Sequence, residues 1–159
     1  MSVPDHSSTL TGWREWVRLT GIGVPWIKAK IDTGAQTSAL HATEIEEFDR
    51  SGEPWVRFLV QPWQVDDEDA VAVELPVHDR RTVRSSSGHA QLRPVVMMRI
   101  GLAGRGITAE VTLTDREEMG FRMLIGREAL RQGFVVDPAA SYVGGKPVRQ
   151  IRRRNRGIA

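Results

Sequence analysis

The sequence predicts a mostly β fold, and three observations support that reading. Apolar and polar residues alternate with period two in several stretches, clearest in Trp26 to Ile31, Val71 to Val77 and Ile107 to Thr114. Turn chemistry built from Gly, Pro, Asp and Ser separates these stretches. No segment sustains a helical period, which leaves room for about eight to ten strands and one short helix. With 159 residues, 40% hydrophobic and 26% charged, the chain suits one soluble domain with a real core.

In chain order, Met1 to Thr11 is polar and lacks an apolar h-region, so it reads as a disordered leader without a signal peptide. Residues 12–140 read as the folded domain. Trp13 to Leu19 forms a first strand, a Gly-rich turn covers Thr20 to Pro25, and Trp26 to Ile31 forms the next strand. Thr43 to Phe48 and Pro54 to Val60 pair as a hairpin across Asp49 to Glu53, although Ile45 to Phe48 could also make a helical turn. Pro62 to Ala70 is an acidic loop, and Pro76 marks the strand from Val71 as an edge or an end. Arg80 to Arg84, the polar turn Ser85-Ser86-Ser87-Gly88 and the run from His89 to Leu102 form a long hairpin with a flap-like tip. After the Gly101 to Gly106 turn comes the strand from Ile107, then a short buried strand, Phe121 to Ile125. A helix over Arg127 to Gln132 is stopped by Gly133, and Phe134 to Asp137 is a last strand.

Residues 141–159 form a basic tail. From Lys146 onward there are six bases and no acids, which leaves sixteen bases against twenty acids in the rest. No aromatic residue interleaves with the tail arginines and the body carries no nucleic-acid module, so a solvated end is expected and nucleic acid is not an expected partner. No apolar run approaches the ~20 residues needed to span a bilayer. The absence of cysteine rules out disulfides, thiolate metal sites and a cysteine nucleophile, and a reducing cytoplasm is the simplest setting.

The chemistry concentrates where the strand to Ile31 runs into Asp32-Thr33-Gly34-Ala35. A carboxylate at a strand end is followed there by a hydroxyl donor and a residue free to turn sharply. This stretch resembles the catalytic loop of aspartic proteases. Met123-Leu124-Ile125-Gly126-Arg127-Glu128-Ala129-Leu130 resembles the segment that supports that loop in single-domain retroviral-type proteases. With Thr37 to Ala42, Ser85 to Gly88 and Leu113 to Arg116 in the same order, the chain is similar to a bacterial retropepsin-like family. That family is labelled an ATP-dependent zinc protease and is related to RimK. The similarity covers roughly Trp13 to Asp137, and a faint internal echo links the two strand-to-Gly segments, as in retroviral-type subunits.

The resemblance implies a retropepsin-like closed barrel and an aspartic-type peptidase. Such chemistry needs two carboxylates sharing one proton, one activating water and the other polarising the carbonyl. One Asp-Thr-Gly per chain then implies a homodimer with one Asp32 from each subunit, acting on a peptide or amide-linked chain. By resemblance Asp32 is catalytic, Thr33 braces the loop against its partner and the Gly34 amide donates to the carboxylate. Ala35, Leu124, Ile125 and Gly126 support the loop, Arg127 forms a structural ion pair, and Ser85, Ser86, Ser87 and Gly88 sit near the flap tip. Gln36 stands where retroviral enzymes carry a second acid, so Arg127 needs another partner. The interleaving terminal strands of those enzymes are not recognisable near Ser141 to Val148.

No cofactor and no metal are expected. There is no His-Glu-x-x-His and no Walker motif. His6, His41, His78 and His89 are scattered, which leaves only a convergence of His41, His89 and Asp32 in space as a route to zinc. A RimK-like ATP-grasp ligase, which adds glutamates to chain ends, is a possible partner by resemblance. The alternative function is a non-catalytic module that grips an extended peptide by strand addition or regulates such a ligase.

Overall fold

The structure is a computed structural model that describes residues 8–64, 68–84, 88–115 and 120–156. Eleven strands and two short helices appear among the described residues. They are β1 (Thr9–Gly12), β2 (Arg14–Thr20), β3 (Val24–Ile31), β4 (Ser38–Arg50), β5 (Glu53–Val60), β6 (Val71–Pro76), β7 (Asp79–Arg84), β8 (Ala90–Leu102), β9 (Arg105–Thr114), β10 (Met123–Ile125), α1 (Arg127–Leu130), β11 (Phe134–Asp137) and α2 (Arg149–Asn155).

Six strands close a barrel in the order β10-β3-β2-β8-β9-β4, because β10 also pairs with β4. Inward positions alternate as the sequence pattern requires. Val17 and Leu19 of β2, Ile27 and Ala29 of β3, Val96, Met98 and Ile100 of β8, and Val111 and Leu113 of β9 form one buried core with Met123 and Ile125. Truncating a buried leucine such as Leu40 costs about 2–5 kcal/mol in cores of this kind.

Two strands are long enough to serve two neighbourhoods. The first residues of β4 lie parallel to β9 inside the barrel, and its second half pairs with β5. Between them the register shifts from Thr43 to Glu46, with Glu44 at a φ of 50°. This bulge bends the strand out of the barrel, so the helical turn left open at Ile45 to Phe48 is not formed. β6 pairs with β5 at the sheet edge and ends at Pro76, as its lost donor requires. Likewise β8 carries β7 on its first half and the barrel strands β9 and β2 on the rest. β7 and β8 are the predicted flap hairpin. Its serines, Ser85 to Ser87, lie outside the described residues, while Gly88 holds a φ of 84°.

Both chain ends depart from expectation. Residues 1–7 lie outside the described residues, but Thr9 to Thr11 belong to β1, which pairs in parallel with β11. The tail is not simply a solvated end either. Tyr142 donates its amide to the Arg14 carbonyl, and the amides of Gly12, Val143 and Gly144 donate to the buried Glu15 carboxylate at 2.7–3.0 Å. One buried acid with three backbone donors thus ties the tail to β2. Beyond it, α2 was missed because only Asn155 of its residues is fully buried, which leaves no apolar stripe to read.

Candidate active site

The site is built where two parallel pairs meet: β10 lies along β3, and β4 along β9. β3 delivers Asp32 and β10 delivers Gly126 to the same end of the barrel. The two following loops clasp each other through backbone groups. Asp32 donates its amide to the Ile125 carbonyl (2.9 Å), and the Arg127 and Glu128 amides donate to the carbonyls of Ala35 (2.7 Å) and Gln36 (3.1 Å).

Glycine at position 126 is dictated by that clasp. A Cβ there would sit 2.6 Å from the Thr37 carbonyl carbon and 3.0 Å from the Ala35 oxygen, both rigid backbone. The Gly126 amide donates to the buried Ser38 Oγ at 3.0 Å. Ser38 is a supporting residue that sequence reasoning missed, since a serine in a strand carries no signal of what its hydroxyl will reach.

Within the Asp32 loop, the Gly34 amide donates to Asp32 Oδ1 at 2.9 Å, as anticipated, and the Ala35 amide closes the turn on the Asp32 carbonyl. The Asp32 carboxylate is half-buried, and Thr33 and Gly34 are exposed beside it. A fixed carboxylate therefore faces outward from a rigid support, with Thr33 free to meet another surface.

Two expectations are corrected. Arg127 has no carboxylate partner among the described residues; it donates from Nη1 to the Thr33 carbonyl at 3.3 Å, which steadies the loop without an ion pair. Gln36 instead donates to Glu128 Oε1 at 3.2 Å, taking the place of the missing acid. Leu124 is not wholly behind the loop, because it also lines the adjoining cleft.

That cleft has a volume of about 470 Å³ and separates the descending limb of the loop from β7. Ala35, Gln36, Thr37 and Ala39 form one wall, and Arg81, Thr82, Val83 and Arg84 form the other, with Arg93 also present. Asp32 itself is not in the wall. Arg81 is held by Glu110 (2.6 Å) and Asp79 (3.1 Å), and His78 Nε2 lies 3.1 Å from the other Glu110 oxygen. The Arg81 hydrogen bond is the main cause that holds the Glu110 carboxyl below the usual range, and it raises Arg81 in return. Arg84 has no carboxylate partner among the described residues, so the cleft wall has a positive bias.

Among the described residues the histidines do not converge on a zinc site. His41 is buried in β4, His78 is committed to Glu110, and His89 is exposed next to Gly88. Among the described residues no three His, Asp or Glu side chains gather closely enough to hold a metal. No described helix is long and apolar enough to cross a membrane.

A family model described as "Retropepsin-like aspartic endopeptidase RimB" matches residues 10–147. The chain belongs to the RimB-like family. Its membership bears out the retropepsin-like resemblance and the barrel expected from it. A crystal structure of a Legionella pneumophila protein of unknown function (DUF785) superposes with a TM-score of 0.72 at 29% identity, covering 87% of this chain and 99% of that one. Curated relatives from Shewanella pealeana and Desulfotalea psychrophila are 43% and 41% identical over 137 and 142 residues. Both are named "Probable alpha-L-glutamate ligase". The matches cover 86% and 89% of this chain but only 30% and 31% of those proteins, so the chain spans just under a third of their length.

Proposed function

We propose that this RimB-like chain is an aspartic-type peptidase that works as a homodimer, with the Asp32 carboxylate of each subunit sharing one proton. The observation that carries the reading is the Asp32 loop: an outward-facing carboxylate on a support clasped by backbone hydrogen bonds. The ionised member of the pair takes a proton from water as its oxygen attacks the amide carbon, while the protonated member donates to the carbonyl oxygen. Collapse of the tetrahedral species breaks the C–N bond, and the proton taken from water passes to the leaving amine. Thr33 braces one loop against the other, and the flap bearing Gly88 covers the substrate.

The substrate class we favour is an acidic peptide, including a chain end extended with glutamate. Arg84 on the cleft wall, unpaired among the described residues, supports it, as does the glutamate-ligase name of the relatives. A RimK-like ligase is then the natural partner, because it would make what this chain cuts. A cytoplasmic setting agrees with the absence of cysteine.

Incubation with a glutamate-extended peptide at acidic pH, together with sedimentation, tests the proposal. We expect a dimer and hydrolysis that Asp32→Asn abolishes. A strictly monomeric protein, or cleavage that survives Asp32→Asn, overturns it. One observation favours a second reading, a non-catalytic module of a ligase: β1 and β11 pair with each other inside one chain. Those strands therefore do not supply the interleaved sheet of retroviral dimers. Under this reading the wild-type chain alters ligase turnover while cutting nothing.

A further inference from the structure

A second cavity, of about 400 Å³, lies on the outer face of β2 and β3 where the C-terminal segment crosses them. It is lined by Trp16, Lys28, Tyr142, Lys146, Arg152, Asn155 and Arg156. Four cations point into one space from three parts of the chain, and no carboxylate lines it. Among the described residues none of the four has an ion-pair partner. The Lys28 ammonium sits 5.5 Å from the centres of both the Trp16 and Tyr142 rings, and the Lys146 ammonium 5.3 Å from that of Tyr142.

The placement does not follow from a basic tail simply seeking the acidic body. Arg154 does that, pairing with Glu68 (3.0 Å) and Asp69 (2.8 Å). The buried Asn155 accepts the Gln64 amide at 3.0 Å and fixes the helix. With α2 so anchored, Arg152 and Arg156, one turn apart, are turned toward Lys28 instead. Unlike charges would relieve this crowding, yet the wall offers only rings, one amide and more cations.

We propose that this cavity is a binding site for a small phosphate-rich anion, one bearing a di- or triphosphate group. Charge density decides the class. A triphosphate concentrates three to four negative charges within a few ångströms, which matches four converging cations. An extended peptide spaces its side chains by ~3.3 Å and alternates their direction, so it brings only one or two carboxylates into such a space. Guanidinium groups from Arg152 and Arg156 suit bidentate contact with phosphate oxygens, and the two ammonium groups act as point charges. Recognition is by side chains, consistent with the absence of a Walker loop. The site is separate from Asp32, and the proposal holds whichever reading of that loop is right.

Calorimetric titration of the full chain with inorganic triphosphate, ATP and hexaglutamate tests it. Triphosphate should bind, and Lys28→Ala, Lys146→Ala and the double change Arg152→Ala/Arg156→Ala should each weaken binding at least tenfold. Arg149→Ala, on the same helix but outside the cavity, should leave it unchanged. Because Lys146 is exposed on a loop, its variant keeps the test sound if another variant unfolds. ATP binding more tightly than triphosphate identifies a nucleotide as the source, and equal binding identifies the phosphate chain alone. The proposal is overturned if triphosphate does not bind, if Arg149→Ala weakens it as much as the cavity variants do, or if hexaglutamate binds as tightly.

Discussion

The two walls of the main cleft are held by different forces. The wall of Ala35, Gln36, Thr37 and Ala39 is fixed by backbone hydrogen bonds and one buried hydroxyl, with Gly126 pressed against the Thr37 peptide. The β7 wall is fixed by β pairing to β8 and by exposed or half-buried ion pairs, Arg81 to Glu110 and Asp79 and Arg80 to Glu47. Backbone clasps in a packed site respond little to salt or acid, whereas surface pairs are screened by salt and lost on protonation. One wall is thus an anvil, and the other answers to its surroundings.

The largest effect should come from the rigid wall. Gly126→Ala forces a Cβ into backbone that cannot yield, and should destabilise the fold by about 3 kcal/mol in urea unfolding. A loss below about 0.5 kcal/mol would mean that the clasp can open and would erase the contrast. Ser38→Ala leaves the Gly126 amide without its buried acceptor, for an expected cost of about 2 kcal/mol by the same measurement.

Changes on the β7 wall should be smaller and depend on conditions. Glu110→Gln should cost less than about 1 kcal/mol, and high salt should abolish the difference from the wild-type chain. Hydrogen exchange should quicken in β7 while the amides of Asp32 and Arg127 keep their protection. The pH dependence has a definite sign. Glu110 is held below its ordinary value of 4.5, chiefly by Arg81, so its contribution is fully present above that value. It is lost as the pH falls through the lowered value. Thermal melts taken downward from pH 4.5 should therefore show the wild-type chain converging on Glu110→Gln. Parallel curves would mean that the Arg81 pair does not hold the wall.

How much of this was legible in the sequence follows from range. Asp32-Thr33-Gly34 and Met123 to Leu130 are readable as a strand into a tight turn and a strand into a short helix because that chemistry is local, while their reading as one site rests on the family resemblance. The alternating strands gave the fold for the same reason. What Ser38 reaches, and what Arg127 does once Gln36 replaces an acid, depend on residues about ninety positions away that no local pattern reports. The arginines of β7 look like a solvated edge until β8 and β9 place them over the cleft. α2 is concealed by composition, since a helix held by Asn155 and Arg154 rather than an apolar face looks like a charged tail.

The pairing of β1 with β11 also has a mechanical side. The strands run parallel, with Thr9 beside Phe134 and Gly12 beside Asp137. Tension applied between the segment leading into β1 and the segment leaving β11 would pull them in opposite directions along their length. All the hydrogen bonds of the patch would then share the load at once, instead of opening singly like a zipper. On the C-terminal side a pull would first meet α2 and the tie to Glu15, and this small sheet would carry the load once those had let go.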